Sequence, residues 1–384
     1  MEINSFLKET EENSIDVGGN ASPFKFDGLK PYLEHKRFVF IGESSHCVKE
    51  YSTAKTSLIQ FLHEKLDFHV LAFESELGDC SIGNHFAADL TPLQWMSGSI
   101  GRVWHNEYNL ELFRYMKDKR TSKPLHLTGI DVQQSTGKHF SQFMESYLTE
   151  ALVQTFLEFD KLAEEILSDD RLFKRRRLKN KLDELDCLGN QLIKNVRKRP
   201  CDDKKRHQIV VRSLENRLEY AKANVQLGFS DLFQFRDKMM AENLKFLSEE
   251  IYPDKKFIIW AHNMHIRKKS SVSRFSPYKS MMEHLDDHMK ENSFVLALYA
   301  NEGMVGDYNG NAFPVKKPTQ KNLEWLLNYS PYQNSFISTE CKWGENKWRV
   351  FEGGGMRNTI TPVQQYDGIL FFKQINPAQR MKET

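Results

Sequence analysis

Six side chains of this sequence could do acid–base chemistry together if the fold gathers them: Glu43, His46, Glu74, Asp131, His262 and His265. Glu43 and His46 stand three residues apart in Gly42-Glu43-Ser44-Ser45-His46, and His262 and His265 stand three apart in Ala261-His262-Asn263-Met264-His265. A histidine hydrogen-bonded to a carboxylate can take a proton from water. The carboxylate fixes the imidazole tautomer and stabilises the imidazolium that forms. A second, protonated histidine or an arginine can stabilise a developing oxyanion. His46 with Glu43 or Glu74, and with His262 or His265 opposite, would suffice for hydrolysis by activated water. Two rival chemistries use the same residues. Histidines and carboxylates in this number are an acceptable ligand set for zinc, manganese or iron, although the spacings match no strong metal motif. Cys47, beside His46, is a thiolate nucleophile in principle, although adjacent residues rarely face each other as that role needs.

The elements that must position these groups are short apolar runs bounded by breakers, which suggest buried strands. They are Phe38–Ile41, Val70–Phe73, Leu125–Ile130 and Phe257–Trp260, with two more at Phe294–Ala300 and Gly368–Phe372. Each of the first four runs into a polar group: Glu43 and His46, Glu74, Asp131, and His262 with His265. Helical spacing lies between them, at Tyr51–Leu66, Asn106–Arg120 and Asp231–Ile251. Strands alternating with helices predict an α/β fold with a mainly parallel central sheet flanked by helices. In such a sheet ligands bind outside the carboxyl ends of the strands, so the six residues are expected at one edge. From about Ser135 to Gly228 there is no credible strand. Residues 1–134 and 229–384 are therefore expected to form an α/β catalytic core, and 135–228 a helical insertion, with a turn near Arg199-Pro200, that could close as a lid. The tail Gly303–Gly355 suggests loops with short irregular strands.

Composition narrows the classes. At 384 residues and 40% apolar, the chain can bury a sizeable core, and global disorder is excluded. A mean hydropathy of −0.59 and the lack of an ~18-residue apolar run exclude a membrane-spanning helix. The first twenty residues have no apolar stretch, so no secretory leader is expected in them. Five cysteines without a CxxC pair suggest a reducing cytoplasm. Of 54 basic and 52 acidic residues, 14 and 5 fall between Arg171 and His207, leaving 40 and 47 elsewhere. That cationic stretch could attract an anionic partner. Its leucines at 172, 178, 182, 185, 188 and 192 instead suggest a helix with a solvated basic face, and it lacks the aromatics that stack bases. No nucleic-acid or membrane partner is expected, only a small-molecule substrate. There is no H-E-x-x-H, no P-loop and no G-x-G-x-x-G after a strand. The run Ser97–Gly101 only superficially resembles a G-x-S-x-G elbow.

Taken together, GExxH at 42–46, Glu74, Gly129-Ile130-Asp131, Arg236-Asp237-Lys238-Met239-Met240-Ala241-Glu242-Asn243 and Trp260-Ala261-His262-Asn263-Met264-His265 resemble the erythromycin esterase family, in order and spacing from about residue 30 to 300. The resemblance implies a hydrolase cleaving a carboxylic ester, in named members the macrolactone of 14-membered macrolide antibiotics, with no required metal or other cofactor. It implies that His46 is the general base, and that Glu43, Glu74, His262 and His265 line the cleft. Arg236 matches the family's arginine. On a helix Arg236, Met240 and Asn243 share one face that could look into the cleft, while Asp237 points elsewhere. Arg236, Asp131 and Lys55 are the expected substrate-binding residues. Two departures stand out. Cys47 replaces the usual glycine after the motif histidine, and Lys55 stands where members often carry arginine, without a bidentate guanidinium. Some relatives are described as polysaccharide (succinoglycan) biosynthesis proteins, so a non-catalytic binding protein and a metal-dependent hydrolase stand as alternatives.

Overall fold

Eleven strands are found in the computed structural model, which describes residues 2–19, 22–134, 137–169, 174–270, 278–307 and 309–381. In chain order they are β1 (Ser14–Asp16), β2 (Phe38–Ile41), β3 (Phe68–Glu76), β4 (His126–Asp131), β5 (Lys256–Trp260), β6 (Ser293–Gly306), β7 (Ala312–Pro314), β8 (Asn334–Ser338), β9 (Trp348–Glu352), β10 (Met356–Ile360) and β11 (Gly368–Ile375). All six expected strands exist, several of them longer than the apolar run that signals them. Glu74 therefore lies within β3 rather than after it.

The chain divides into two compact units. The first holds residues 1–74, 102–126 and 254–384, and the second holds 75–101 and 127–253. In the first unit the sheet runs β1-β8-β11-β6-β2-β5-β3. The contacts β11–β6, β6–β2, β2–β5 and β5–β3 are parallel, and β8 and β1 add an antiparallel edge. The parallel strands are continuous apolar runs because both faces are covered; every residue of β2 is buried. The helix Lys49–Leu66 lies on this sheet with Tyr51, Leu58, Ile59 and Leu62 inward, and the Tyr51 ring meets Phe372 of β11 at 5.2 Å. Asp67, in the left-handed region at φ 64°, ends that helix and turns the chain into β3.

The second unit is mostly helical. Its helices are Leu77–Phe86, Pro92–Ser99, His139–Tyr147, Glu150–Leu167, Lys179–Arg197, Lys204–Gln226 and Phe229–Phe246. Between 137–169 and 174–228 no strand occurs among the described residues, and the turn at Arg199-Pro200 separates two helices. The expected first residue of the insertion, Ser135, lies outside the described residues. The unit is larger than that insertion. Residues 75–101, 127–134 and 229–253 join it, because the helix Leu77–Phe86 packs there: a Cβ on Gly78 would meet the Phe140 ring at 2.8 Å and Ser213 at 3.2 Å. Strand β4 passes so close to the end of β3 that Gly129 cannot carry a side chain; its Cβ would sit 2.3 Å from the carbonyl oxygens of Ser75 and Glu76. Residues 171–173 of the basic segment lie outside the described residues. In its described part the apolar stripe is inward at Leu178, Leu185 and Leu192, and Arg177, Lys181 and Arg197 pair with Asp169, Glu165 and Glu215. The solvated-face reading fits this arrangement. No helix among the described residues is long and apolar enough to cross a membrane.

Candidate active site

The register of the first unit's sheet builds the site. Trp260 of β5 pairs with Ile41 on one side and with Phe73 on the other. The next residues, Gly42, Ala261 and Glu74, therefore stand in one row at the carboxyl ends of three adjacent strands. From this row Glu43, His46, Glu74, His262 and His265 converge, as the sequence predicts for this edge.

Gly42 is the residue this convergence demands. A Cβ there would lie 2.0 Å from Asn263 Oδ1 and 2.9 Å from Ile266. Asn263 is fully buried, takes the Glu43 carbonyl at 2.9 Å with its backbone N–H, and donates from Nδ2 to the Leu298 carbonyl at 3.1 Å. It cannot withdraw without releasing both strands. Gly42→Ala is expected to cost about 1–3 kcal/mol, the range for overpacking a filled core; urea denaturation checks this, and unchanged stability would contradict it.

Glu43 is the hub. Its Oε1 accepts from His46 Nδ1 at 2.6 Å and from Trp104 Nε1 at 2.9 Å, and its Oε2 accepts from Lys55 Nζ at 2.7 Å. Burial by itself would raise its pKa, but the Lys55 charge and the His46 hydrogen bond outweigh burial and hold it at about 2. The carboxylate is thus ionised at neutral pH and fixes the proton of His46 on Nδ1. Nε2 of His46 is left as the basic nitrogen, on a side chain 33% exposed. Its ring centroid lies 5.3 Å from that of Trp104, the two rings nearly perpendicular, and 5.2 Å from that of His262.

Lys55 does not stand where a substrate-contacting residue would. It is fully buried, on the inward face of its helix with Tyr51 and Leu58, and its ammonium sits between Glu43 and the Trp260 ring at 4.2 Å. Burial lowers its pKa to about 8, with Glu43 and Glu74 opposing. It is a positioning residue for Glu43. A lysine interrupting an apolar helical stripe is the signal that could have revealed this.

Glu74 Oε2 accepts the backbone N–H of His262 at 2.7 Å, and its Oε1 pairs with His265 Nε2 at 3.1 Å. His262 accepts the Met264 N–H on Nδ1 at 3.2 Å, so its proton is on Nε2, which reaches the Ser44 carbonyl at 3.3 Å. Burial, followed by the neighbouring His46, lowers the His262 pKa to about 3. His262 is therefore neutral at pH 7 and does not carry the charge that an oxyanion-stabilising imidazolium would. This has a consequence for stability. Below pH 6.5 the unfolded chain takes up a proton on this residue that the folded chain refuses until about pH 3, so stability falls as pH falls through that window. His63, lowered to about 4 by burial, acts in the same direction, and Glu43 adds to the loss below pH 4.5. His262→Gln is expected to remove up to about 1.4 kcal/mol per pH unit from the slope between pH 6.5 and 4.5. Urea denaturation across that range checks it; equal slopes would contradict it.

Cys47 is held at φ 55°, the left-handed region where a glycine would sit without strain. Its Sγ donates to the Val103 carbonyl at 3.1 Å. Burial and the Glu43 charge push its thiol up to about 12, which argues against a thiolate nucleophile. Among the described residues no group of three or more His, Cys, Asp or Glu is arranged to hold a metal ion.

Asp131 and Arg236 lie in the second unit. They are committed to each other: Arg236 Nε and Nη2 reach Asp131 Oδ1 and Oδ2 at 2.9 and 2.6 Å. The face shared by Arg236, Met240 and Asn243 is turned inward. Met240 and Asn243 are fully buried, and Asn243 Nδ2 donates to the Ile130 carbonyl at 2.9 Å. Asp237, expected on another side, is also fully buried.

Three neighbours of these residues escape the sequence pattern: Trp104, Arg267 and Glu352. Trp104 donates from Nε1 to Glu43 at 2.9 Å. Arg267 and Tyr299 both donate to Oε1 of the buried Glu352, the latter at 2.7 Å, and Oε2 of Glu352 lies 3.9 Å from His262 Nε2. Burial raises the Glu352 pKa. The signal for Arg267 is its place two residues after His265; Glu352 sits in the tail that suggests loops with short irregular strands, at the end of the short strand β9.

A sequence profile of the family described as erythromycin esterase matches residues 63–375. The match begins downstream of Gly42–His46. Over 94% of this chain and 89% of the relative, the sequence is 29% identical to a candidate hydrolase, YbfO, of Bacillus subtilis (strain 168). It is 23% identical to erythromycin esterase type II of Escherichia coli, over 81% of this chain and 83% of that protein. The fold is similar to that of a succinoglycan biosynthesis protein, with a TM-score of 0.78, 15% identity and 98% of both chains covered. It is also similar to an erythromycin esterase variant, EreC, in its open conformation, with a TM-score of 0.66, 16% identity, and 97% and 99% of the two chains covered.

Proposed function

Because the chain belongs to the erythromycin esterase family, whose membership marks it as a hydrolase, we propose that it cleaves a carboxylic ester of a small molecule with water activated by His46. One observation carries this reading: the ionised, buried Glu43 holds His46 Nδ1 at 2.6 Å, which leaves Nε2 as a base on a partly exposed ring. Nε2 takes a proton from water as the water oxygen bonds to the ester carbonyl carbon. The Nε2–H of His262, 3.3 Å from the Ser44 carbonyl, supplies a donor to the oxyanion that forms. The imidazolium then returns its proton to the alkoxide as the ester C–O bond breaks, giving acid and alcohol. In the finer reading the ester is the macrolactone of a 14-membered macrolide antibiotic, and hydrolysis confers resistance; the name of the Escherichia coli relative supports this. A cytoplasmic location belongs to the same reading, supported by five unpaired cysteines.

The test is mass spectrometry of erythromycin and of a panel of simple esters after incubation with purified protein, with and without chelator. The expected result is a gain of one water that chelator does not prevent. A gain on simple esters alone would remove the macrolide. Activity lost to chelator and restored by one metal would overturn the metal-independent mechanism. No gain on any ester would overturn the reading.

A further inference from the structure

A cavity of about 460 Å³ in the first unit has no part in the chemistry above. It is lined by Lys269, Lys347, Arg357, Thr359, Thr361 and Gln364, among others, and among the described residues by no aspartate or glutamate. The local sequence explains the charge. In the β9–β10 hairpin Trp348 pairs with Ile360 and Phe351 with Arg357. Arg357 and Thr359 alternate onto one face of β10, with Thr361 next in line, and Lys347 precedes β9 opposite that end. Lys269 comes from the segment after His265, where Gln365 Nε2 donates to its carbonyl at 2.8 Å.

Among the described residues Lys269, Lys347 and Arg357 make no ion pair, although exposed cations elsewhere do, as in Lys181–Glu165 and Arg114–Glu111. Glu283 touches the lining residue Ser270, but its Oε2 already accepts from Ser270 and Ser280. Two more cations share the hairpin face: Arg349, opposite Thr359, and Lys316, whose Nζ lies 5.8 Å from the Phe351 ring. Three unpaired charges around one concave space repel one another unless an anion enters.

We propose that this cavity binds a phosphate-class dianion, either inorganic phosphate or the phosphoryl group of a small sugar phosphate. Arg357 offers the planar fork that grips two oxygens, Lys269 and Lys347 supply point charges, and the Thr359 and Thr361 hydroxyls supply further donors. Calorimetric titration with inorganic phosphate and with glucose 6-phosphate, at an ionic strength fixed with sodium chloride, tests it. Saturable one-to-one binding of at least one is expected, and the preferred one identifies the source. The double variant Lys347→Gln/Arg357→Gln is expected to weaken that binding at least about tenfold, because each lost contact is a charge-assisted hydrogen bond. Both side chains are exposed, so the variant is expected to melt like the parent protein without ligand. No binding of either anion, or equal binding by the variant, would overturn the site.

Discussion

His46→Gln is expected to lower ester turnover by about two to four orders of magnitude, the range that a positioned general base contributes, while leaving the unfolding curve nearly unchanged. The ring is one-third exposed and buries little surface that the glutamine would not cover. The carboxylate beneath it is not orphaned by the change, because Glu43 keeps Lys55 and Trp104. Loss of turnover therefore reports loss of the base and not of the fold. Steady-state rates on the best ester of the panel, beside a thermal melt, check both halves. Turnover like that of the parent protein would remove His46 from the mechanism.

Lys55→Met is expected to be the most damaging change to stability, at about 3–5 kcal/mol at pH 7, because removing one partner of a buried pair leaves the other charge uncompensated. Methionine fills much the same space, so the penalty is electrostatic rather than a cavity. Glu43 at about 2 in the parent protein is held there against burial chiefly by Lys55. Without the ammonium its carboxyl binds a proton more readily, and the deficit of the variant is expected to shrink as pH falls toward 4. Urea denaturation of both proteins at pH 7 and pH 4.5 measures this. A deficit that is the same at both values would point to packing and contradict the assignment of Lys55 as the counter-charge of Glu43.

The site was legible in the sequence where strand chemistry is local. The run Phe38–Ile41 ends two residues before Glu43, and Phe257–Trp260 ends just before Ala261-His262, so strand ends and polar groups could be read together. Adjacency of β2, β5 and β3 then did the rest through the register at Trp260. What stayed hidden depends on contacts between distant segments. Trp104 reaches Glu43 across 61 positions and Arg267 reaches Glu352 across 85, and no local spacing announces either bond. Lys55 was assigned to the substrate because it stands where family members often carry arginine, but its helical register points it inward beside Tyr51 and Leu58. Asp131 was grouped with the histidines as a strand-end residue and Arg236 through its motif; within the second unit the two pair with each other. That unit outgrew the expected insertion because the helix Leu77–Phe86, adjacent in sequence to a core strand, packs against helices more than sixty residues later.

In the proposed reaction His46 activates water and forms no bond to the substrate itself. Intact-protein mass spectrometry after rapid acid quench, taken during turnover of the ester that the panel identifies, tests it most directly. Product formation with the enzyme at its unmodified mass at every time point is expected. An acyl adduct that builds and decays with turnover, on His46 or on the neighbouring serines, would contradict it.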